Sequence, residues 1–174
     1  MKVYIGLDIS TSKIGMAMIG EDESLIETKL IKFKSGRTLE SKTMDFAIHL
    51  ATLVGINEVL DVFVEEPVSV FSMGKSSAHT ISKLQRFNGM CSYAIRIGIG
   101  KSPDLIPVRS ARSSVGLKIK RGDNTKLEVI KWVKTKYPKK FLFEMTRHGN
   151  PKPGTDDIAD AIVVGLAGIK RKNS

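Results

Sequence analysis

Cysteine is almost missing from this chain: Cys91 stands alone. One cysteine excludes an internal disulfide and a multi-cysteine zinc site, and it fits a reducing compartment. Long apolar runs are missing too. None reaches the length that crosses a bilayer, and the first residues lack the basic-then-apolar order of a signal peptide. The expectation is a cytoplasmic protein without a membrane partner. There is no internal repeat and no low-complexity segment, so the 174 residues are read as one domain over 1–169 with a short basic tail at 170–174. Acid is the remaining shortage. Asp and Glu number 18 against 28 Lys and Arg, leaving a net charge of +10 and a pI near 9.7. A field of that sign favours nucleic acid or an anionic surface as partner; a merely basic soluble protein is the plainer alternative.

What is present has a clear order. Residues 2–8 are an apolar run ending in Asp8, followed by a polar turn at 9–13; residues 14–19 and 24–33 read as two more strands. Strands this closely spaced predict an antiparallel meander. Residues 41–54 have helical periodicity, with Met44, Ala47, Ile48 and Ala51 on one face. Residues 61–65 are short and apolar, as in a buried central strand, and Pro67 ends them because proline cannot donate to a sheet ladder. A loop at 68–75 carries Phe71 and Met73. Residues 76–97 predict a long helix with a stripe of Ile81, Leu84, Phe87, Met90 and Ala94, read either as core or as a dimer face. A fifth strand is expected at 105–108, a basic stretch at 109–126, a helix at 125–137, a loop with three prolines at 137–155, and a last helix burying Ile158, Ala161, Ile162, Gly165 and Leu166. The Lys-Arg-Lys end reads as solvated, free to be disordered. The fold class is α/β: a mixed five-stranded sheet, an antiparallel meander plus parallel strands, flanked by helices on both faces.

The scarce acids are placed where they are costly. Asp8 and Glu65 end apolar strands, and Asp157 and Asp160 lie three apart where a Gly/Pro-rich loop turns into a helix, so they share a helix face. Carboxylates at the ends of buried strands are unfavourable unless something positive compensates them, and none of the four has an adjacent basic residue in sequence. Divalent metal is the natural candidate, and acids around Mg²⁺ in a basic protein suggest a metal-dependent nuclease. Neighbouring acids leave some register ambiguity: Glu66 would point away from Glu65 by strand alternation, and Asp156 suits a helix cap, so Asp157 and Asp160 are assigned to metal with Asp156 the alternative to Asp157.

Ile5-Gly6-Leu7-Asp8-Ile9-Ser10, Val64-Glu65-Glu66 and Asp157-Ile158-Ala159-Asp160-Ala161, in that order and spacing, resemble the RuvC family of Holliday-junction resolvases, within the ribonuclease H-like superfamily. Pro107-Val108, Ala111-Arg112 and Val115-Gly116 are similar to that family's passage from strand to basic loop. The resemblance covers nearly the whole chain. It implies a ribonuclease H-like fold, with Asp8, Glu65, Asp157 and Asp160 as metal ligands and Lys126 at the position of a catalytically helpful lysine. Two positions depart from the family pattern. A further lysine expected after the Ala-Arg pair is replaced by Ser113-Ser114, leaving its role vacant or passed to Lys118 or Lys120. The family's aromatic wedge falls on Val68, with Phe71 slightly further on. Such departures suit a divergent, phage-type member.

Two Mg²⁺ ions, with Mn²⁺ able to substitute, would activate water and stabilise the leaving 3′ oxygen, with Asp8 bridging them. Lys126 is read as stabilising phosphate charge or as an ordinary helix lysine, and His148 as a loop histidine that could approach the acids or simply be solvated. His79 raises the same acid/base question, and His49 looks structural. Lys75, Arg112, Lys118, Lys120, Arg121 and Phe71 are the expected DNA contacts. The reading is a structure-selective endonuclease that resolves four-way junctions by paired phosphodiester hydrolysis, acting as a homodimer. A broader branched-DNA or RNA–DNA hybrid nuclease of the same fold remains an alternative. From other classes, an actin-like or sugar-kinase ATPase shares the Gly6-Leu7-Asp8 start, and a non-catalytic DNA-binding module shares the charge.

Overall fold

The computed structural model describes residues 1–67 and 78–173. Three strands, β1 (Lys2–Ile9), β2 (Lys13–Gly20) and β3 (Leu25–Lys32), form the expected meander, followed by helix α1 (Leu39–Val54) and strand β4 (Glu58–Glu65). Helix α2 (Ala78–Ile99), strand β5 (Asp104–Ile106), and helices α3 (Val108–Ser114), α4 (Thr125–Lys136) and α5 (Thr155–Asn173) complete the order. The sheet runs β3-β2-β1-β4-β5, antiparallel on the β2 and β3 side and parallel from β1 through β5. This is the mixed five-stranded α/β sheet expected from the sequence.

Strand parity divides the molecule. Val3, Ile5 and Leu7 of β1, Ile14, Met16 and Met18 of β2, and Val62 and Val64 of β4 pack with α1 and α2 on one face. The alternate residues Tyr4, Ala17, Ile19 and Phe63 pack with α4 and α5 on the other. Asp8, Lys13 and Glu65 share the parity of this second set, so their side chains emerge on the α5 face. The chain stays in register there: Leu7 pairs with Val64, which sets Asp8 beside Glu65 one step on, and Asp8 pairs with Gly15.

Helix α5 is buried along almost its whole length, from Ala159 to Ile169, because it lies directly on β1 and β2. At Gly6 an added Cβ would stand 2.1 Å from the Ala161 carbonyl oxygen and 2.9 Å from Gly165 Cα. At Gly15 it would stand 2.1 Å from the Asp157 carbonyl oxygen. Glycine at both positions is what lets the first turns of α5, with their two acids, approach the strand that carries Asp8.

Several expectations need correction. The fifth strand ends at Ile106, and Val108–Ser114 is helical; Pro107 precedes this helix with extended backbone, a starting role for proline that a strand reading of 105–108 overlooks. Helix α1 buries Leu39, Phe46, Leu50 and Leu53, while Met44, Ile48 and Ala51 are exposed. It carries apolar residues on two sides, so periodicity alone does not choose the inward one. In α2 the core side is Ile81, Phe87, Cys91 and Ile95, with Leu84, Met90 and Ala94 half-buried. The basic end continues α5 through Asn173, where Lys172 approaches Asp61 (3.6 Å) and Asp104 (3.2 Å) and cations suit a helix C-terminus. No helix among the described residues is long and apolar enough to cross a membrane.

The glycine contact carries a stability prediction. Gly6→Ala is expected to lower the unfolding free energy by about 2 kcal/mol or more. Gly89→Ala, where an added Cβ meets nothing within 4 Å, should be neutral or stabilising by up to roughly 1 kcal/mol. Urea denaturation of the two variants checks the contrast; equal midpoints would contradict it.

Candidate active site

The sheet and α5 converge on one cluster of acids. Carboxylate oxygens of Asp8, Glu65 and Asp160 all lie within 4.8 Å of one another. Asp160 hydrogen-bonds the Arg112 guanidinium, Nη2 to Oδ1 3.3 Å, from α3. Among the described residues no salt bridge reaches Asp8 or Glu65. Burial, then the nearby charges of Glu65, Asp160, Asp157 and Asp156, raises the Asp8 carboxyl well above the usual range. Glu65 is pushed up to about 7 by burial and the Asp160 charge, with Arg112 opposing. Burial also raises Asp160 against the pull of Arg112.

Asp157 stands apart from this trio. Its carboxylate is ion-paired with Lys13, the first residue of β2, and it is nearly buried. Burial raises it while the Lys13 hydrogen bond opposes. Asp156 sits between Lys126 at the start of α4 and Lys13, 3.8 Å from the latter, and accepts a hydrogen bond from the Gly154 amide (3.3 Å). Burial would raise it, yet hydrogen bonds from Lys126 and with Asp157 and the two lysine charges bring it down to about 2. It therefore serves one backbone amide just before the helix, as a capping group would, and two ammonium groups besides.

The acids thus have cations that sequence adjacency does not reveal. The sequence pattern places Lys13 at the end of a polar turn; its parity with Gly15, the residue opposite Asp8, is the signal that locates it at the acids. Arg112, expected at DNA, turns to Asp160. Lys118, Lys120 and Arg121 are exposed between α3 and α4. Lys75 and Phe71, with Val68 and Met73, lie outside the described residues. His148 is exposed and accepts a hydrogen bond from Arg147 (2.9 Å), His79 is exposed in the first turn of α2, and His49 is half-buried on α1.

The donor set fits a divalent cation. Three hard oxygen ligands converge within coordination reach of one point, two of them without a salt bridge, and their protonation is held up by burial and then by mutual repulsion, which such an ion would offset. Asp157 lies outside this trio, with Oδ2 of its carboxylate held by Lys13.

The strand order and helix placement are those of a ribonuclease H-like α/β fold. Thermus thermophilus RuvC in complex with Holliday junction substrate has a structure similar to 99% of this chain and 96% of its own, at 15% identity and a TM-score of 0.70. A second Thermus thermophilus RuvC structure matches over 98% and 95%, at 16% identity and a TM-score of 0.65. Fowlpox virus resolvase, in complex with substrate Holliday junction DNA, matches over 99% of both chains, at 15% identity and a TM-score of 0.50. The chain has the RuvC fold. No family model matches it, and no curated protein matches it in sequence.

The raised carboxyls set a pH dependence. Glu65 ordinarily titrates near 4.5 but holds its proton to about 7 in the folded protein, so between those values the folded state binds more protons than the unfolded one. The stability that Glu65 contributes is full below 4.5 and is lost as pH rises through about 7. Thermal unfolding in EDTA should show this decline, Glu65→Gln should flatten it, and Mg²⁺ should offset it. A decline unchanged in Glu65→Gln would contradict the assignment.

Proposed function

We propose that this protein is a divalent-metal-dependent endonuclease that resolves four-way DNA junctions by paired incision. The observation that carries the reading is the Asp8, Glu65 and Asp160 trio standing on a RuvC fold that spans 99% of the chain. Two of the similar structures hold Holliday junction DNA, and a net charge of +10 favours a polyanionic partner. Mg²⁺ is the proposed cofactor, with Mn²⁺ able to substitute and two ions acting per site. When bound, such ions activate the attacking water and stabilise the leaving 3′ oxygen.

The chain's own groups supply the rest. Asp8 lies within ligand reach of both Glu65 and Asp160 and would hold the ions together with them. Glu65 and Asp160 converge with it, and Asp157 stands beside them on Lys13. Arg112 keeps Asp160 oriented, and Lys126, mostly exposed beside Asp156, is available to scissile-phosphate charge. Lys118, Lys120 and Arg121 follow in the exposed segment between α3 and α4 and would meet flanking phosphates. The proposed site of action is the cytoplasm.

Paired incision calls for two sites on a two-fold dimer. Met44 of α1 and Tyr93 and Ile97 of α2 are about two-thirds exposed side by side along one apolar groove, which supports this face as the dimer contact. Tyr93→Glu with Ile97→Glu should sediment as a monomer and lose the pairing of its nicks; a dimer persisting in that variant would contradict the assignment.

The activity is tested on labelled four-way junctions beside linear duplex, forks and an RNA–DNA hybrid. Symmetric nicks that need Mg²⁺, vanish in EDTA and fall about a thousandfold or more in Asp160→Asn are expected. Equal cutting of forks would widen the substrate to branched DNA, hybrid-selective cutting would shift it to a ribonuclease H, and tight junction binding without cutting would leave a non-catalytic module.

A further inference from the structure

Lys13 is built into the acidic cluster rather than resting on it. The turn that presents it is pinned from several sides. The Ser10 amide and hydroxyl both donate to the Lys13 carbonyl (3.0 and 2.8 Å), and the Lys13 amide donates to Ser10 Oγ (3.2 Å). The Phe33 amide donates to the Ser12 carbonyl (2.9 Å). Lys42, a buried lysine of α1 lying over the Phe33 ring, donates its ammonium to the Thr11 carbonyl at 2.6 Å. Burying a lysine charge for one carbonyl is costly, and what it secures is the turn that aims Lys13. Strand parity then sends that side chain to Asp157, with Asp156 within reach.

Charge counting gives this placement a meaning. Five carboxylates, Asp8, Glu65, Asp156, Asp157 and Asp160, are matched by three cations, Lys13, Arg112 and Lys126. With all five ionised, as ion binding would require, two negative charges are left over, the complement of one divalent ion. A second ion would bring the cluster to a charge of about +2, and neutrality then needs both the departure of a cation and the arrival of a phosphate. Lys13 is the cation whose departure also frees a ligand, since it covers Asp157.

We propose that Lys13 is a positioning residue that holds Asp157 out of the metal set in the free protein, so that Asp157 becomes available as a ligand only when the Lys13 ammonium turns to a phosphate of bound DNA. The inference rests on the nuclease reading above and adds an order of assembly. Asp8, Glu65 and Asp160 take one ion alone, and the second requires substrate. Lys13→Gln, which keeps the backbone bonds of the turn, removes the competitor. Lys13→Arg keeps it.

The test is Mn²⁺ titration of the DNA-free full chain, followed by the electron paramagnetic resonance of the unbound ion, counting the ions that Asp8→Asn loses. The expected result is about one ion per chain for the wild type and Lys13→Arg, and about two for Lys13→Gln. Asp157→Asn, which does not depend on how well Lys13→Gln folds, should bind the first ion as tightly as the wild type. Equal stoichiometry in wild type and Lys13→Gln, or a first ion lost in Asp157→Asn, would overturn the role of Lys13 alone. A wild type that binds none would overturn the nuclease reading, and this inference with it.

Discussion

Everything at this site depends on backbone lying against backbone where α5 crosses β1 and β2. Gly6 faces the Ala161 carbonyl and Gly15 faces that of Asp157, so at these two points no side chain separates helix from sheet. The helix that carries Asp157 and Asp160 is thereby held against the strand that carries Asp8, and the parallel register of β1 with β4 adds Glu65. Shifting the helix outward by one methyl layer would move its acids away from Asp8, because interiors this dense relax only partly.

The same closeness creates the electrostatic problem that defines the site. Carboxylates this near one another, in a region largely shielded from water, repel and resist ionisation. The protein answers unevenly. Asp156 receives two lysines and ionises readily, Asp160 receives Arg112, and Asp157 receives Lys13, whereas Asp8 and Glu65 are left to share whatever cation arrives. The unevenness is what separates a metal site from a salt-bridge network, since a fully paired cluster would have no remaining charge to offer an ion.

Much of this was legible in the chain before folding. Apolar runs ending in Asp8 and Glu65 mark buried strands, and the three-residue spacing of Asp157 and Asp160 marks one helix face. The less legible parts share a physical cause: they depend on which of two equivalent surfaces the fold selects. Helix α1 has apolar residues on both sides, and packing against α2 and the sheet, not its periodicity, makes Phe46 and Leu50 the inner ones. Helix α3 buries only Ala111, too little to leave a periodic signal. Lys13 and Arg112 meet acids more than forty residues away in sequence, and only the hairpin register and the α3–α5 contact bring them there.

Anomalous diffraction from crystals grown with Mn²⁺, without DNA, shows where the first ion sits. A single strong peak coordinated by Asp8, Glu65 and Asp160, with Asp157 still on Lys13, is the expected result. A peak elsewhere on the molecule, or a cluster in which these three carboxylates remain empty at saturating Mn²⁺, would contradict it.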